Sequence, residues 1–406
     1  MAELKYNPFK PGSIVHPAMF AGRAAELAIL EKALFQTTNG NPTHFLIHGE
    51  RGIGKSSLLL FINNTAIDKE KSPIFEQQFN FLTVSIELEP NDDYSDLVSK
   101  IARQLQRELD KNEALKKKLK DLWGFITNWE VMGVKYTRGT TPVEAMLEEL
   151  SEKFSAIALK LAEDGSGIYI FIDEADKPIN GAELGEFVKV FTERLTKNGT
   201  TNVAIGIIGI SNVIEKMKQS HESSVRVLTS IPLKPLNEKD RKRVVTRGLD
   251  EANKKNKVAT TISNDALDII SKYSEGYPYF IQQYAFSAFD HDTDNNIDEN
   301  DVREALIKEN GALQLLGQRY FENMYTDEIR SDDYRKVLQV IAMHMPDALS
   351  RKQIIEEAHL KPHTVDNALT ALKKKGTVIP VSGTDGLFKL PSMPFAAWIL
   401  AFKIAS

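Results

Sequence analysis

The stretch Thr43-His-Phe-Leu-Ile-His48 followed by Gly49-Glu50-Arg51-Gly52-Ile53-Gly54-Lys55-Ser56-Ser57 decides how this chain folds. Thr43–His48 reads as a short buried strand and Ser56–Asn63 as the helix that leaves the turn. Between them stands G-x-x-x-x-G-K-S. Its glycines let backbone N–H groups close around phosphates, and the helix presents its positive end to them. Lys55 is expected to reach the β- and γ-phosphates of a nucleotide and the Ser56 hydroxyl to ligate Mg²⁺. The competing reading is a Gly-rich turn with no ligand. A strand before the turn and a helix after it favour the phosphate site.

A second run strengthens this. Ile168-Tyr-Ile-Phe-Ile172 is an apolar strand that ends in Asp173-Glu174. A carboxylate there can hold Mg²⁺ through water, and a second can polarise the attacking water. Asp173 is assigned to magnesium and Glu174 to water activation. Asp173-Glu174-Ala175-Asp176 spells a helicase motif, but the chain holds a single motor core, so Asp176 reads as a loop residue. The strand 204–210 ends in Ser211-Asn212, whose amide can contact the γ-phosphate or the lytic water. The alternative for Asn212 is an ordinary strand-to-loop turn residue. Further strands are expected at 82–88 and 202–210, with helices at 26–34, 94–109 and 142–161. Alternating strands and helices argue for a parallel sheet covered on both faces.

The chain has 406 residues, with 42% hydrophobic and 26% charged, the balance of a globular protein of two or three domains. Net charge is −5, so any DNA contact has to come from a local basic patch. There are no cysteines, hence no disulfide and no thiolate zinc site. No apolar run approaches the roughly 18 residues of a membrane span, and the N-terminus lacks a signal-peptide core. Cytoplasmic is the expected location.

After Pro235 the strands are expected to stop. Helices are read at 238–255, 263–273, 278–289 and 300–309. From about Asp333 to Phe402 the pattern is three helices and a hairpin: Gly376 ends the third helix, and residues 382–386 turn between 378–381 and 387–390. That is a winged-helix pattern. The fold expected is α/β: a P-loop core with a parallel sheet (1–235), an all-α lid (236–328) and a winged-helix domain (329–406).

Taken together these motifs resemble the AAA+ ATPases, in the branch that holds origin-recognition initiators and the STAND signalling ATPases. Phe20-x-Gly22-Arg23-x-x-Glu26 is similar to the box that precedes the P-loop in both groups and packs near the adenine, which implicates Arg23. Gly209-Ile-Ser-Asn212 looks like the initiators' sensor-1 strand. Ser224-Val-Arg226-Val-Leu before Ile231-Pro-Leu-Lys-Pro-Leu236 resembles the segment carrying the arginine finger. That resemblance implies that Arg226 acts in trans and that the chain forms a homo-oligomer. Initiators carry an arginine in the lid after a G-D-A-R-type turn. Here the turn is Gly276-Tyr277-Pro278-Tyr279, which looks like the G-x-P element of STAND ATPases and makes Pro278 the contact to the base.

Three weaker signals remain. Asp290 to Asp301 imitates a calcium loop, but it lacks the glycine at its sixth position and a glutamate at its twelfth, so an inter-helix loop with a cap near Asn300 is expected. Residues 115–139 interleave Trp123, Phe125, Trp129 and Tyr136 with lysines and an arginine. They read as a nucleic-acid surface, an inserted hairpin packed on the core, or a protein-docking face. In Pro362–Lys375, Val365, Leu369 and Leu372 supply a core face. Lys361, His363, Thr364 and Asn367 lie at the exposed start, and Lys373, Lys374 and Lys375 form a basic end. DNA binding and a protein or autoinhibitory contact both suit this helix, since it also carries Asp366.

The function expected is an ATP-driven switch that binds ATP between core and lid and hydrolyses it slowly. One reading attaches it to double-stranded DNA. The rival is a signalling or defence ATPase regulating an effector protein, and a third is a nucleotide-binding scaffold.

Overall fold

A computed structural model describes residues 5–13, 22–68, 78–128, 143–381 and 386–404. Phe20, Trp129, Tyr136 and most of the turn at 382–386 lie outside them. The chain divides into two compact units: residues 14–234, and residues 1–13 together with 235–406.

In the first unit, α1 (Ala24–Thr38) leads to β1 (His44–His48) and α2 (Lys55–Ala66). Then come β2 (Leu82–Glu87), α3 (Tyr94–Lys111), short helices α4 (Glu113–Lys118) and α5 (Trp123–Thr127), and α6 (Val143–Ala162). The unit closes with β3 (Ile168–Asp173), α7 (Leu184–Lys197), β4 (Val203–Gly209), α8 (Val213–Ser220) and β5 (Leu228–Pro232). The strands form one sheet in the order β2-β3-β4-β1-β5, every pair parallel. Every residue of β4 is buried, as is all of β3 up to Asp173, because helices cover both faces; this explains their unbroken apolar sequences. One face carries an aromatic column in which Tyr169 stacks on Phe171 and both meet Phe45. The other packs Ile170, Ile172 and Ile205 against Leu97 and Ile101 of α3, Phe154 of α6 and Phe191 of α7.

His44 sits within this packing. Its Nδ1 accepts the Ile205 N–H at 3.1 Å, and burial lowers its pKa to about 4. The unfolded chain therefore takes up a proton near pH 6.5 that the folded chain refuses until about pH 4. Stability is full above pH 6.5 and falls as pH drops through that window, by about 2 kcal/mol at pH 5. Urea unfolding at pH 7 and pH 5 checks this: His44→Gln should lose markedly less over the same interval.

The structure changes several expectations. Two helices, α7 and α8, and the edge strand β5 were not anticipated. β5 is half-exposed and ends in Pro232, so it lacks the apolar run that betrays β3 and β4. Where a packed hairpin was one reading of 115–139, the described part is helical. Leu119 and Ile126 are buried in the main core, and Lys153 Nζ donates to the Phe125 and Asn128 carbonyls at 2.6 Å each. Trp123 packs against that core, while Phe125 lies under Lys153.

The second unit begins with α9 (Glu238–Asn253), β6 (Thr261–Ile262), α10 (Asn264–Tyr273), α11 (Pro278–His291), β7 (Asn296–Ile297), α12 (Glu299–Ile307) and α13 (Ala312–Leu316). Strands therefore do not stop after Pro235: β6 pairs with β7 in parallel, through two residues each, too few to leave a periodic signal. The imitation calcium loop is a capping device. Asp298 caps α12 by accepting from Asn300 N and Asp301 N, and Asp301 accepts from Asp298 N. Residues of the Pro-rich arm pack here too. Tyr6 N donates to Asn256 Oδ1, and Phe9 lies in a pocket that depends on the missing side chain of Gly248.

The chain continues through α14 (Asp332–His344), β8 (Leu349–Ser350), α15 (Arg351–Ala358), α16 (Pro362–Lys374), β9 (Ile379–Pro380), β10 (Leu387–Lys389) and α17 (Met393–Ile399). The strands form an antiparallel sheet in the order β8-β10-β9. Strand β8 and helix α17 were not foreseen. Gly376, at φ 70, follows α16, and Thr377 N returns to Leu372 O at 3.0 Å. Among the described residues no helix is long and apolar enough to cross a membrane.

Candidate active site

Parallel strands bring the C-terminal ends of β1, β3 and β4 to one edge of the sheet. The Gly-rich turn leaves β1 there. Gly52 and Gly54 take φ of 76 and 97, a region costly for other residues. Gly49 lies so close to Leu233 that a Cβ would stand 2.9 Å from its carbonyl oxygen. Helix α2 starts behind Gly54, which has no side chain to cap the first turn, and that turn holds no acidic residue. An uncapped N-terminus without negative charge suits an anion.

Lys55 Nζ donates to Gly49 O at 2.9 Å and Glu50 O at 3.0 Å, so the lysine lies over the turn. Burial lowers its pKa, opposed by the charges of Asp176, Glu174 and Asp173. Ser56 and Ser57 follow in the first turn of α2, both half-buried. Arg51 and Glu50 are exposed on the turn, and Ile53 is buried beneath it.

Arg23, expected near the adenine, also makes contacts within the protein. It is buried, stands at φ 65, and its Nη2 donates to Ile53 O at 3.0 Å while Nη1 pairs with Glu26 at 3.1 Å. The guanidinium thus holds the Gly-rich turn from behind.

Asp173 ends β3, opposite Glu87 of β2. Burial raises its pKa, and the Glu174 N–H, donating to Oδ1 at 2.7 Å, opposes this. Glu174 stands at φ 52, and its Oε2 lies 3.9 Å from Lys177 Nζ, which also pairs with Glu87 at 2.8 Å. Asn212 is exposed three residues beyond β4, at the start of α8. Arg226 is exposed in a 3-10 turn at Ser224–Val227, directly before β5. Thus Lys55, Asp173, Glu174 and Asn212 meet at one sheet edge. Arg226 is set apart beside the outer strand, and Pro278 is the first residue of α11 in the second unit.

The donor set fits a magnesium nucleotide: a hydroxyl at Ser56, a carboxylate at Asp173 and an uncapped Gly-rich turn. Sequence reasoning missed two residues around it. Asp176, read as a loop residue, is 7% exposed and accepts Ile210 N at Oδ1; Lys216 binds the same loop. Lys216 carried no signal, because it acts through carbonyls distant in sequence, and Asp176 was visible only as the last letter of the Asp173–Asp176 run.

In the second unit, α16 buries Val365, Leu369 and Leu372 and leaves Lys361, His363, Asn367 and Lys373–Lys375 exposed, with Thr364 half-exposed. Asp366 is held by a two-pronged bond from Arg351 of α15, at 2.5 and 2.8 Å. Its negative charge is therefore matched, another link the sequence did not announce.

The parallel sheet and the Gly-rich turn leaving β1 give the first unit an α/β fold of AAA+ type. Residues 19–186 match the family described as AAA ATPase domain. Its fold is similar to the Aeropyrum pernix ORC2 protein in its ADPNP-ADP complexes, at 15% identity and TM-score 0.56, covering 99% of each chain. The ADP form of that protein matches at 16% identity and TM-score 0.51, covering 97% of this chain and 95% of that one. The Aeropyrum pernix ORC1 protein in complex with DNA aligns at 16% identity and TM-score 0.46, over 96% and 94%. No curated protein sequence matches this chain.

Proposed function

We propose that this protein is an ATP-driven switch that hydrolyses ATP slowly and acts on double-stranded DNA through its C-terminal module. The observation that carries the reading is the convergence of Lys55, Asp173, Glu174 and Asn212 on the edge where the Gly-rich turn leaves β1. In this reading residues 49–57 cradle the phosphates, and Lys55 gives up its two carbonyl partners for phosphate oxygens. Ser56 and Asp173 would hold Mg²⁺, which would supply charge neutralisation at the phosphates. Glu174 orients and deprotonates the attacking water, while the Asn212 amide contacts the γ-phosphate. Arg226, exposed beside the outer strand, suits a finger offered to a second copy. The nucleotide complexes of the similar ORC2 protein are in keeping with this.

For DNA, α16 supplies a polar start and a basic end on its exposed face, and the Arg351 pairing removes the objection raised by Asp366. With the β8-β10-β9 sheet this is a winged helix, with α16 as its recognition helix.

Size measurement of the full chain with ADP and with ATP, each with and without duplex DNA, tests the reading. ATP should enlarge the particle, and duplex DNA should bind with an affinity that falls steeply with salt. Replacing Lys361, Lys373, Lys374 and Lys375 by Ala should lower the salt slope by about 3–4, since each phosphate contact contributes about 0.9. Unchanged slope and affinity in that variant would exclude α16 as the DNA element. A size indifferent to nucleotide would remove Arg226 from its role.

A further inference from the structure

Directly after β3, the chain is fastened to the end of β4 and to α8 by a set of bonds that the reaction scheme does not use. Ala175 N donates to Ile208 O at 2.9 Å. Asp176 Oδ1 accepts Ile210 N at 2.9 Å, and the Asp176 side chain lies against Gly209, where a Cβ would stand 3.0 Å from Oδ1. Lys216 of α8 reaches back and donates through Nζ to Asp176 O at 2.6 Å and Pro178 O at 2.7 Å. The same lysine donates its backbone N–H to Asn212 O at 3.1 Å. Lys216 is thus bonded at one end to the residue after β4 assigned to the γ-phosphate, and at the other to the loop that starts at Glu174.

The loop needs such fastening. Glu174 sits in left-handed backbone, a conformation a non-glycine residue keeps only when its surroundings impose it. Two residues later Asp176 is buried and Lys216 spans two carbonyls, so the turn has little freedom to relax. We infer that Lys216 and Asp176 form a clasp that sets the position of Glu174 relative to Asn212. They are positioning residues for hydrolysis, acting through the backbone of the 174–178 loop. An error of about 1 Å in such a placement costs on the order of a hundredfold in rate. The inference rests on the assignment of Glu174 and Asn212 made above.

The test is steady-state phosphate release and nucleotide affinity of the full chain. Lys216→Met keeps the aliphatic stem but removes the donor; it should lower kcat at least tenfold while KM and ADP affinity stay within twofold. Asp176→Ala should behave likewise. Asp176→Asn keeps an oxygen to accept from Ile210 N and should recover activity to within threefold of the parent. If Lys216→Met does not fold, the two Asp176 variants make the same comparison from the other side of the clasp. Unchanged kcat in Lys216→Met overturns the inference. So does a parallel fall of kcat and nucleotide affinity, which is the mark of general structural damage. A parent chain that binds ATP but releases no phosphate removes the assignment of Glu174 along with the clasp, and the parent measurement alone distinguishes that case.

Discussion

Glu174→Gln should bind ATP as the parent does and release phosphate at least about 100-fold more slowly, the effect of losing a positioned base. The substitution is nearly isosteric and leaves the loop bonds of Ala175 and Asp176 in place. Lys55 and the Gly-rich turn are untouched, so affinity has no reason to fall. Lys177, 3.9 Å from the Glu174 carboxylate, keeps its closer bond to Glu87 at 2.8 Å. Phosphate release and ATP binding measured on the same sample give the answer. Release that persists at the parent rate would take Glu174 out of the mechanism. Loss of binding would mean that the carboxylate holds the nucleotide instead.

Gly206→Val should be among the most damaging single changes to the fold. Gly206 lies at the centre of β4, in register with Phe45 of β1 on one side and Phe171 of β3 on the other. A Cβ placed there would stand 2.5 Å from Phe45 Cζ and 2.9 Å from Phe171 Cδ1. Neither ring can swing away, because Tyr169 stacks on Phe171 and also meets Phe45 inside a fully buried layer. Overpacking of this kind costs about 3 kcal/mol or more. Chemical denaturation of the variant measures it. Adding Phe45→Leu should recover part of the loss, since it vacates the space the new methyls need, and a double-mutant cycle reads that coupling. A cycle with no coupling would show that the glycine is there for another reason.

How much of this was legible in the sequence follows from what each residue acts through. The turn from Gly49 to Ser56, the strand ending in Asp173-Glu174 and the strand before Asn212 could be read because their chemistry lies in consecutive residues. A strand covered on both faces has to be apolar throughout, and a phosphate turn has to be glycine-rich. Those constraints write themselves into local sequence. The edge strand β5, the two-residue strands and the late helix α17 left weaker traces. They are short or half-exposed, and packing decides them more than periodicity does.

The phosphate turn, the paired carboxylates and the alternation of strand and helix were thus determined by the sequence alone. Only the tertiary structure decided the order β2-β3-β4-β1-β5, which sets the strand ending toward Asn212 between the acidic strand and the one entering the turn. It also decided that Arg23 holds Ile53 O, that Lys216 and Asp176 fasten the loop of Glu174, and that Arg351 matches Asp366. Each of these joins groups far apart along the chain, often through a backbone carbonyl or N–H that every residue carries. Such a partner has no letter in the sequence, and folding alone brings it within reach.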